Sequence, residues 1–474
     1  MFRFALNDGL VEATQPPGYP ALDFLREAAG LKGVKHACRE GDCGSCVILL
    51  GKLHQGAIRY SVVTSCLLPL RALAGRHVVT VEGLNRLELS PVQRLFAEEG
   101  ASQCGFCTPG FVVSLTGYVL GTPKWEATAA EETIAGNICR CTGYQSIRRA
   151  ITKIVQLLRD TVDPEEDRVP ALVREGFIPE YFVRIGQQLE ALEPIQWEKE
   201  PAPNQIVVAG GTDLYVQRPD AVSSANVFVV PPPAGPTIWA EGDHVYLAGG
   251  ATAEDMKQSE VLTTTVGGVD RAMKLMGSLP IRNQATIGGN LVNASPIGDM
   301  SIILLALDAE IGLLHGGNRR NVPLSEFFLG YKTLNLDPGE LVEWVRFPVV
   351  GDHRIFNFEK VSKRTHLDIA SVNTAISLQL ENGRIVSGVV SAGGVAPIPM
   401  RLAQTGAFLG GREPTLETAH GTAETARTEV SPISDVRGSA EYKSLLLGQL
   451  ILAHFHVLFG FDKGLERQVV RNAG

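Results

Sequence analysis

The residues of this 474-residue chain best suited to redox or metal chemistry are its eight cysteines, all of which lie in its first third. The stretch "CREGDCGSC" has the spacing Cys-x4-Cys-x2-Cys, and a fourth cysteine follows after nineteen intervening residues. The first cysteine set is therefore Cys38, Cys43, Cys46 and Cys66. Gly41 and Gly44 allow backbone conformations that a Cβ would obstruct. This is the plant-type [2Fe–2S] spacing, in which one loop presents several thiolates and turns its backbone N–H groups toward the sulfides.

Two other uses of cysteine fit this pattern less well. Disulfides need an oxidising compartment and usually stabilise small secreted domains. This chain is large, and its start "MFRFALNDGLVEATQ" has no basic segment followed by an apolar signal core. Structural zinc favours paired Cys-x2-Cys knuckles joined by short loops. A [2Fe–2S] cluster is the better interpretation of the first set.

The second cysteine set consists of Cys104-x2-Cys107 and Cys139-x-Cys141, with 31 residues between the two pairs. The surrounding sequence is helical in pattern. "SPVQRLFAEEG" has an N-cap serine and a proline at the first helical position, while "PGFVVSLTGYVLG" and "SIRRAITKIVQLLRD" space their apolar residues by three and four. Helical hairpins would direct both pairs of thiolates to one point. Alone, this set could hold zinc; beside a plant-type loop, a second [2Fe–2S] cluster is favoured.

These motifs carry a family resemblance. "HACREGDCGSC", "SQCGFCTPGF" and "GNICRCTGYQSI" closely resemble the two-cluster module of the molybdenum hydroxylases, nearly continuously from residue 33 to residue 150. Ala37 stands where the family more often has glycine. The resemblance implies a β-grasp ferredoxin-like domain over residues 1–84 and a four-helix [2Fe–2S] domain over 85–158. The β-rich runs "CVILLG", "RYSVVTS" and "HVVTVEG", with the short amphipathic helix "YPALDFLREAAG", support the first domain independently.

Glycine-rich segments follow an acidic stretch, "RDTVDPEEDRVPALV", whose composition predicts a linker over 159–190. "IVVAGGTDLYV" leads an apolar strand into a glycine pair, but it lacks the G-x-G-x-x-G of a Rossmann fingerprint. In "RNQATIGGNLVNASPIGD", Gly288 and Gly289 would let the backbone approach a pyrophosphate. Asn290, Asn293 and Ser295 offer neutral donors, and Asp299 could accept a hydrogen bond from a ribose or ribityl hydroxyl.

Both segments resemble the FAD-binding domain of the same family, and "FFLGYKTLNLDPGELV", "FEKVSKRTHLDIASVN" and "GGVAPIPMR" continue the likeness. The resemblance implies an α+β FAD-binding domain of the PCMH type over 191–348 and an α+β C-terminal flavoprotein domain over 349–474. Position by position, it places Val208, Ala209, Gly210, Gly211, Thr212, Asp213 and Leu214 along the diphosphate, Thr286, Ile287, Gly288, Gly289, Asn290 and Asn293 on its second side, Asp299 at the sugar hydroxyls, and Leu341 and Lys360 near the flavin ring.

Two positions near the expected flavin ring need separate comment. Met276 stands where the animal enzymes have a phenylalanine against the ring. His366, in "KRTHLD", is interpreted as a solvated loop residue, with contact to a dinucleotide as the alternative. Further on, "AISLQLENGRIVSGVVSAGGV" predicts paired strands about an "ENG" turn, and "SAEYKSLLLGQLILAHFHVLFG" predicts a long core helix.

Charge and hydropathy exclude several partners. The formal net charge is −8, the sequence pI is about 5.8, and no Lys/Arg-rich block could neutralise phosphates. No segment approaches the roughly 20 uninterrupted apolar residues of a membrane span. We expect a cytoplasmic protein with no nucleic-acid or membrane partner.

The function follows from the resemblance. Catalytic hydroxylation in this family needs a further portion of several hundred residues that binds molybdopterin, and no sequence remains for it after the clusters and FAD. No His-Asp-Ser or paired-carboxylate arrangement stands out. The resemblance thus implies the electron-transfer subunit of a xanthine dehydrogenase with two [2Fe–2S] clusters, FAD and NAD+ as acceptor, in a heterotetramer with two large molybdopterin-binding subunits. Alternatives are the equivalent subunit acting on an aldehyde or another N-heterocycle, or a non-enzymatic iron–sulfur scaffold or sensor.

Overall fold

The structure is a computed structural model that describes residues 2–122, 124–349, 354–364 and 367–461. The chain divides into two units. The N-terminal unit contains residues 1–231 and 278–285, and the C-terminal unit contains residues 232–277 and the chain from 286 onward. Each unit is described by itself below.

The secondary structure of the described residues mixes helices and strands throughout. The helices α1 to α18 are Ala21–Asp23, Pro91–Glu98, Thr108–Gly121, Ala127–Ile134, Gln145–Thr161, Arg168–Arg174, Ile185–Glu190, Leu214–Gln217, Pro219–Ser224, Ala253–Gln258, Glu260–Thr265, Val269–Lys274, Leu279–Arg282, Ile287–Asn293, Asp299–Ala306, Ala403–Leu409, Leu416–Thr428 and Ala440–Phe459. The strands β1 to β18 are Phe2–Leu6, Gly9–Ala13, Val47–His54, Ala57–Thr64, His77–Val79, Val207–Val208, Phe228–Val229, Ile238–Glu241, His244–Ala248, Glu310–His315, Asn318–Pro323, Phe328–Gly330, Thr333–Leu334, Leu341–Pro348, Arg354–Val361, Val372–Glu381, Arg384–Gly393 and Met400–Arg401.

The N-terminal unit begins with a five-stranded sheet of order β2-β1-β5-β3-β4, in which β1 and β5 are parallel. Successive residues of β3 enter different hydrophobic clusters, because side chains alternate across a strand. Leu49 packs with Phe111 and Val113 of α3, while Ile48 and Leu50 pack with Phe4 and other residues of a second cluster. Burial of both faces explains why "CVILLG" is a continuous apolar run.

Four helices, α2 to α5, follow this sheet. Helix α2 begins with the predicted N-cap Ser90 and Pro91, and Ser90 and Gln93 form a capping box. Helix α3 is buried from Gly110 to Val119, and α5 buries one face. The predicted helices around the second cysteine set are confirmed.

The segment from 159 to 190 differs from the linker that its composition predicts. After α5 ends it forms α6, a 3-10 turn at Glu180–Val183, and α7. Leu172, Phe177 and Phe182 lie in the same hydrophobic cluster as α3. A few spaced apolar side chains therefore fix a segment that is polar on average.

The rest of the N-terminal unit contains the first glycine pair. The expected strand at "IVV" is only two residues long, β6, and it pairs in parallel with β7. Helix α13 packs beside β4, and the Gln284 side chain accepts hydrogen bonds from Thr64 N at 2.8 Å and Thr64 Oγ1 at 2.6 Å.

The C-terminal unit contains two larger sheets. One has the order β11-β10-β14-β9-β8, and the other has the order β15-β16-β17-β18. Strands β16 and β17 pair about the predicted "ENG" turn, where Asn382 and Gly383 have φ of 50° and 77°. Both values are positive, as a two-residue hairpin turn requires.

Helix α18 is the long apolar helix that the sequence predicts, and its N-cap is Ser439. Among the described residues, it is the one helix with the length and apolar composition that a membrane crossing requires. Its buried residues include Leu447, Ile451 and Phe455, which belong to the hydrophobic cluster of β16, β17 and α17. Within its unit, α18 thus packs as a core helix.

Candidate iron–sulfur and flavin sites

The first cysteine set forms two close pairs of thiols. Cys38, Cys43 and Cys46 lie in the loop before β3, and Cys66 lies in the 3-10 turn that follows β4. The Cys38 and Cys43 sulfurs are 3.2 Å apart, and those of Cys46 and Cys66 are 3.3 Å apart. Glu40 donates its backbone N–H to the Cys38 sulfur at 3.4 Å. Two pairs of thiols match a two-iron cluster, because its two irons share four cysteine ligands.

Glycine at position 44 is required by the packing of this loop. Gly44 has φ of 66°, and a Cβ there would lie 2.5 Å from the Gly136 carbonyl oxygen and 2.9 Å from Asn137 Cα. Gly41 also has positive φ, at 81°. The expectation that these glycines adopt conformations that a Cβ would obstruct is confirmed.

The second cysteine set is brought together by helix ends. Cys107 precedes α3, whose first residues are Thr108 and Pro109, and Cys139 and Cys141 lie in the turn between α4 and α5. The Cys107 thiol is a neighbour of the Cys139 thiol, and the Cys104 thiol is a neighbour of the Cys141 thiol. Cys139 is buried, whereas Cys104 and Cys141 are exposed. The four predicted thiols thus form two neighbouring pairs, as in the first set, and within the described residues no tighter group of three or more possible metal ligands occurs.

The loops of the two cysteine sets contact each other directly. Ile138, next to Cys139, donates its backbone N–H to the Cys43 carbonyl oxygen at 3.1 Å. Asn137 Nδ2 donates to the Gly44 carbonyl oxygen at 3.1 Å, and Asn137 Oδ1 accepts from Ser114 Oγ at 3.0 Å. Asn137 is buried, so these bonds are shielded from water. A path along the backbone from Cys43 to Cys139 therefore crosses only one hydrogen bond.

Hydrogen bonding between thiols makes one sulfur of a pair easier to ionise. A hydrogen bond from Cys38 lowers the pKa of Cys43 to about 5 and raises the pKa of Cys38 itself. Burial opposes ionisation of Cys139, but hydrogen bonds led by the Thr142 hydroxyl hold its pKa below the ordinary value. The thiolate is the metal-binding form of cysteine, so both donor sets fit iron ligation.

The first predicted FAD segment, Val208–Leu214, lies entirely in the N-terminal unit. A Cβ on Gly210 would overlap the Gln284 carbonyl oxygen, and one on Gly211, whose φ is 76°, would overlap the Leu67 carbonyl oxygen. Contacts within the unit therefore already require this glycine pair. At these two positions the backbone has no side chain, as close approach of a diphosphate needs.

The second predicted FAD segment and the remaining FAD residues lie in the C-terminal unit. Thr286 is the N-cap of α14, and its Oγ1 accepts from Gly289 N at 3.1 Å. Gly288 is buried and its N–H bonds the Gly249 carbonyl oxygen at 2.8 Å, whereas Gly289 is only half-buried. A Cβ on Gly288 would also lie 3.2 Å from Val342 Cβ, and Val342 is the residue that follows Leu341 in β14. Of the two glycines, Gly289 is the more accessible.

The two predicted asparagines are also bonded within the unit. Asn290 Oδ1 accepts from Ser301 Oγ at 3.0 Å, and Asn293 Oδ1 accepts from Lys332 Nζ at 2.8 Å. Their side-chain oxygens thus hold neighbouring elements in place.

Asp299 and Lys360 form a nearly buried ion pair. Lys360 Nζ lies 2.7 Å from Asp299 Oδ2 and donates to the Leu275 carbonyl oxygen at 2.9 Å. The Lys360 side chain is only 3% exposed, and the Asp299 side chain is 9% exposed. The resemblance assigned these residues separately to the flavin ring and the sugar, and the structure brings them together.

Asn373 belongs to the same group, although the sequence did not single it out. Its Nδ2 donates to Asp299 Oδ1 at 2.6 Å and to the Ile297 carbonyl oxygen at 3.2 Å. Its Oδ1 is buried and has no hydrogen-bond partner among the described residues. The carboxylate and the unpaired amide oxygen are acceptors suited to the hydroxyl and N–H groups of a flavin nucleotide.

Met276 is buried, and His366 lies outside the described residues.

Four family models match consecutive parts of the chain. They describe a 2Fe-2S iron-sulfur cluster binding domain at residues 5–70, a [2Fe-2S] binding domain at 80–152, an FAD binding domain in molybdopterin dehydrogenase at 187–350, and a CO dehydrogenase flavoprotein C-terminal domain at 358–457. The chain belongs to the molybdenum hydroxylase family. It is the iron–sulfur and FAD electron-transfer region of that family, and its cofactors are two [2Fe–2S] clusters and FAD.

Named relatives fall within the same family. The chain is 27% identical over 439 residues to a xanthine dehydrogenase/oxidase of Rattus norvegicus, covering 81% of this chain and 33% of the relative. It is also 27% identical over 478 residues to an aldehyde oxidase 4 of Cavia porcellus, covering 86% and 36%. A solved carbon monoxide dehydrogenase from Hydrogenophaga pseudoflava matches 52% of this chain and 86% of that chain, with 25% identity and a TM-score of 0.49. The chain thus spans about a third of the length of these curated relatives.

Proposed function

We propose that this chain is the electron-transfer subunit of a xanthine dehydrogenase. In this proposal, electrons released at a molybdenum cofactor on a separate large subunit pass through the two [2Fe–2S] clusters to FAD and then to NAD+. The observation that carries it is the direct contact between the loops of the two cysteine sets, in a chain that also matches the family's FAD-binding domain.

In this proposal, the residues of the chain hold the redox groups. The eight cysteines would ligate the clusters, and Asn137 keeps the two cysteine loops in register through its bonds to Gly44 and Ser114. Clusters and flavin supply the electron chemistry, while the protein sets burial, hydrogen bonding and spacing. On the flavin side, Asn373 and Lys360 fix the Asp299 carboxylate from two directions.

The proposal assigns hydroxylation to the partner. We infer a cytoplasmic heterotetramer of two such chains with two large molybdopterin-binding subunits. Purine hydroxylation is favoured because xanthine dehydrogenases of mammals, plants, fungi and insects are among the relatives. Hydroxylation of an aldehyde is the second candidate, and the aldehyde oxidase relative is the observation in its favour.

The test is anaerobic reduction of the complex purified with its molybdopterin-binding partner. Xanthine or hypoxanthine should bleach the cluster absorbance, and NAD+ should then restore it with formation of NADH. Reduction by aldehydes but not by purines would support the second candidate. Clusters that stay oxidised with both substrate classes, or that are reduced by xanthine but not reoxidised by NAD+, would contradict the proposed substrate or the proposed acceptor, respectively.

A further inference from the structure

The turn that follows the second cysteine set has an unusual backbone. Gly143 and Tyr144 have φ of 61° and 67°, so two consecutive residues are left-handed immediately before α5. This conformation is disfavoured for tyrosine, because its Cβ crowds the following carbonyl oxygen. Strained residues of this kind persist where surrounding contacts fix them, and they cluster at functional sites.

Three hydrogen bonds close this turn on Cys139. Cys139 donates its backbone N–H to Tyr144 Oη at 2.9 Å, and Tyr144 donates its own N–H to Thr142 Oγ1 at 3.2 Å. Thr142 Oγ1 in turn donates to the Cys139 sulfur at 3.2 Å. A hydroxyl can accept and donate at once, so Oγ1 accepts from the Tyr144 N–H and gives its one proton to the sulfur.

The sulfur that receives this bond is shielded from water. Cys139 is 7% exposed, whereas Cys104 and Cys141 of the same set are exposed. Water can supply hydrogen bonds to the sulfurs of exposed cysteines but not readily to a buried one. A protein hydroxyl therefore has its largest effect at Cys139, where the surroundings are least polar.

We propose that Thr142 is a positioning residue that raises the reduction potential of the second [2Fe–2S] cluster by donating its hydroxyl proton to the Cys139 sulfur. One-electron reduction adds one negative charge to the cluster and its thiolates, and no proton is transferred. A hydrogen bond strengthens as its acceptor becomes more negative, so it stabilises the reduced state more than the oxidised state. The strained Gly143–Tyr144 turn holds the hydroxyl in place. This inference rests on the proposed ligation of the second cluster by Cys139.

The experiment is a redox titration of the whole chain, followed by electron paramagnetic resonance of both clusters. At the wild-type midpoint potential, Thr142→Val should lower the ratio of reduced to oxidised second cluster about tenfold, which corresponds to about 59 mV for a one-electron couple. The first cluster should be unchanged and serves as the internal reference. Thr142→Ala provides the same comparison if the valine variant does not assemble the second cluster.

Two further variants separate the hydroxyl from the shape of the side chain. Thr142→Ser keeps the hydroxyl and should restore the ratio to within about twofold of wild type. Thr108→Val is the matched control, because Thr108 also follows a predicted ligand, Cys107, but its hydroxyl bonds Ser102 Oγ at 2.7 Å. It should leave both clusters unchanged.

A second readout observes the proton itself. After exchange into heavy water, pulsed resonance should detect a deuteron coupled to the second cluster in wild type and in Thr142→Ser, and this coupling should be lost in Thr142→Val. Equal potentials in wild type and Thr142→Val, or a serine variant as low as the valine variant, would overturn the proposal. A wild-type chain with only one cluster signal would instead contradict the ligand assignment, and with it this inference.

Discussion

At the scale of single residues, the cysteines of the two sets differ in environment. The first set contains two buried thiols, Cys46 and Cys66, and no exposed one, whereas the second set contains two exposed thiols. Cluster potentials respond to solvent exposure and to hydrogen bonds at sulfur. We therefore expect two clusters with distinct spectra, although their ligand types are identical.

Serine substitution of one cysteine in each set assigns these spectra. Cys43→Ser and Cys139→Ser should each remove about half of the iron and one paramagnetic signal, because their loops hold different clusters. Each variant is the control for the other, measured by iron content and by electron paramagnetic resonance of the reduced chain. Loss of the same signal from both variants would contradict the assignment of two separate sets.

A buried histidine in the C-terminal unit predicts a pH dependence of stability. The His454 ring lies between Asn357 Nδ2, 2.9 Å from Nδ1, and Thr374 Oγ1, 2.8 Å from Nε2. Burial lowers the pKa of His454 to about 3, below the ordinary value of about 6.5 in the unfolded chain. Between pH 7 and pH 5 the unfolded state binds a proton that the folded state does not. The unfolding free energy of this unit should therefore fall by about 2 kcal/mol over that range.

Substitution by glutamine tests the assignment to this side chain. His454→Gln cannot titrate and retains polar atoms, so it should have lower stability at pH 7 but a smaller loss between pH 7 and pH 5. The measurement is urea unfolding of the FAD-depleted chain at both pH values. A variant with the wild-type pH dependence would show that other groups cause it.

At the scale of elements, the sequence predicts the helices and turns that are specified by residues within one short stretch of the chain. The capping signals of α2, the apolar spacing of α3, α5 and α18, and the "ENG" turn each specify structure within a short stretch. The short helix at residues 19–30 is predicted, but its form is not: α1 ends at Asp23 and a π-helix follows over Phe24–Ala28. Its Phe24 and Leu25 are buried, so packing rather than propensity decides the winding.

The residues of the candidate site are likewise predicted where the signal is local and missed where it depends on the fold. Cysteine spacing predicts both thiol sets, because most cysteines of each set lie within a few residues of another. Asn373 is missed because its role depends on the register of β16 against β17 and on the turn before Asp299, which no local pattern encodes. Thr142 and Tyr144 are missed because their left-handed turn is visible only in the backbone.

The turn at the start of α14 allows a selective test of FAD binding. Gly289→Val places a branched side chain on the more accessible of two glycines, where we expect the backbone to approach the diphosphate. FAD affinity should fall at least tenfold while both clusters remain, since all eight cysteines belong to the N-terminal unit. Desalting followed by flavin absorbance and iron analysis measures both quantities.

Two comparisons make this result specific. Gly288→Val should instead destabilise the unit, because its Cβ would crowd the Gly249 carbonyl oxygen at 2.9 Å. In the complex, Gly289→Val should abolish NAD+ reduction but leave reduction of the clusters by substrate intact, and an artificial acceptor at the clusters should restore turnover. Wild-type FAD content in Gly289→Val would mean that this glycine is only part of a structural turn.

At the scale of the whole molecule, sequence segments and structural units do not coincide. The FAD-binding family match at 187–350 extends over both units, and residues 278–285 belong to the N-terminal unit. The bonds between Gln284 and Thr64 join residues 220 positions apart in the chain. Such long-range pairing depends on the folded topology, so composition and motif spacing cannot reveal it.

The composition of the purified chain tests all cofactor assignments together. Two four-cysteine sets and one FAD-binding domain require about four iron and one FAD per chain, measured by metal analysis and flavin absorbance. A chelator with a mild oxidant should remove the second cluster before the first, because Cys104 and Cys141 are exposed while the first set contains no exposed thiol. The resonance signal lost in Cys139→Ser should then disappear first, and about two iron should remain. Stoichiometric zinc in place of iron would refute the cluster assignment, and loss of the first cluster before the second would show that thiol exposure does not control the stability of these clusters.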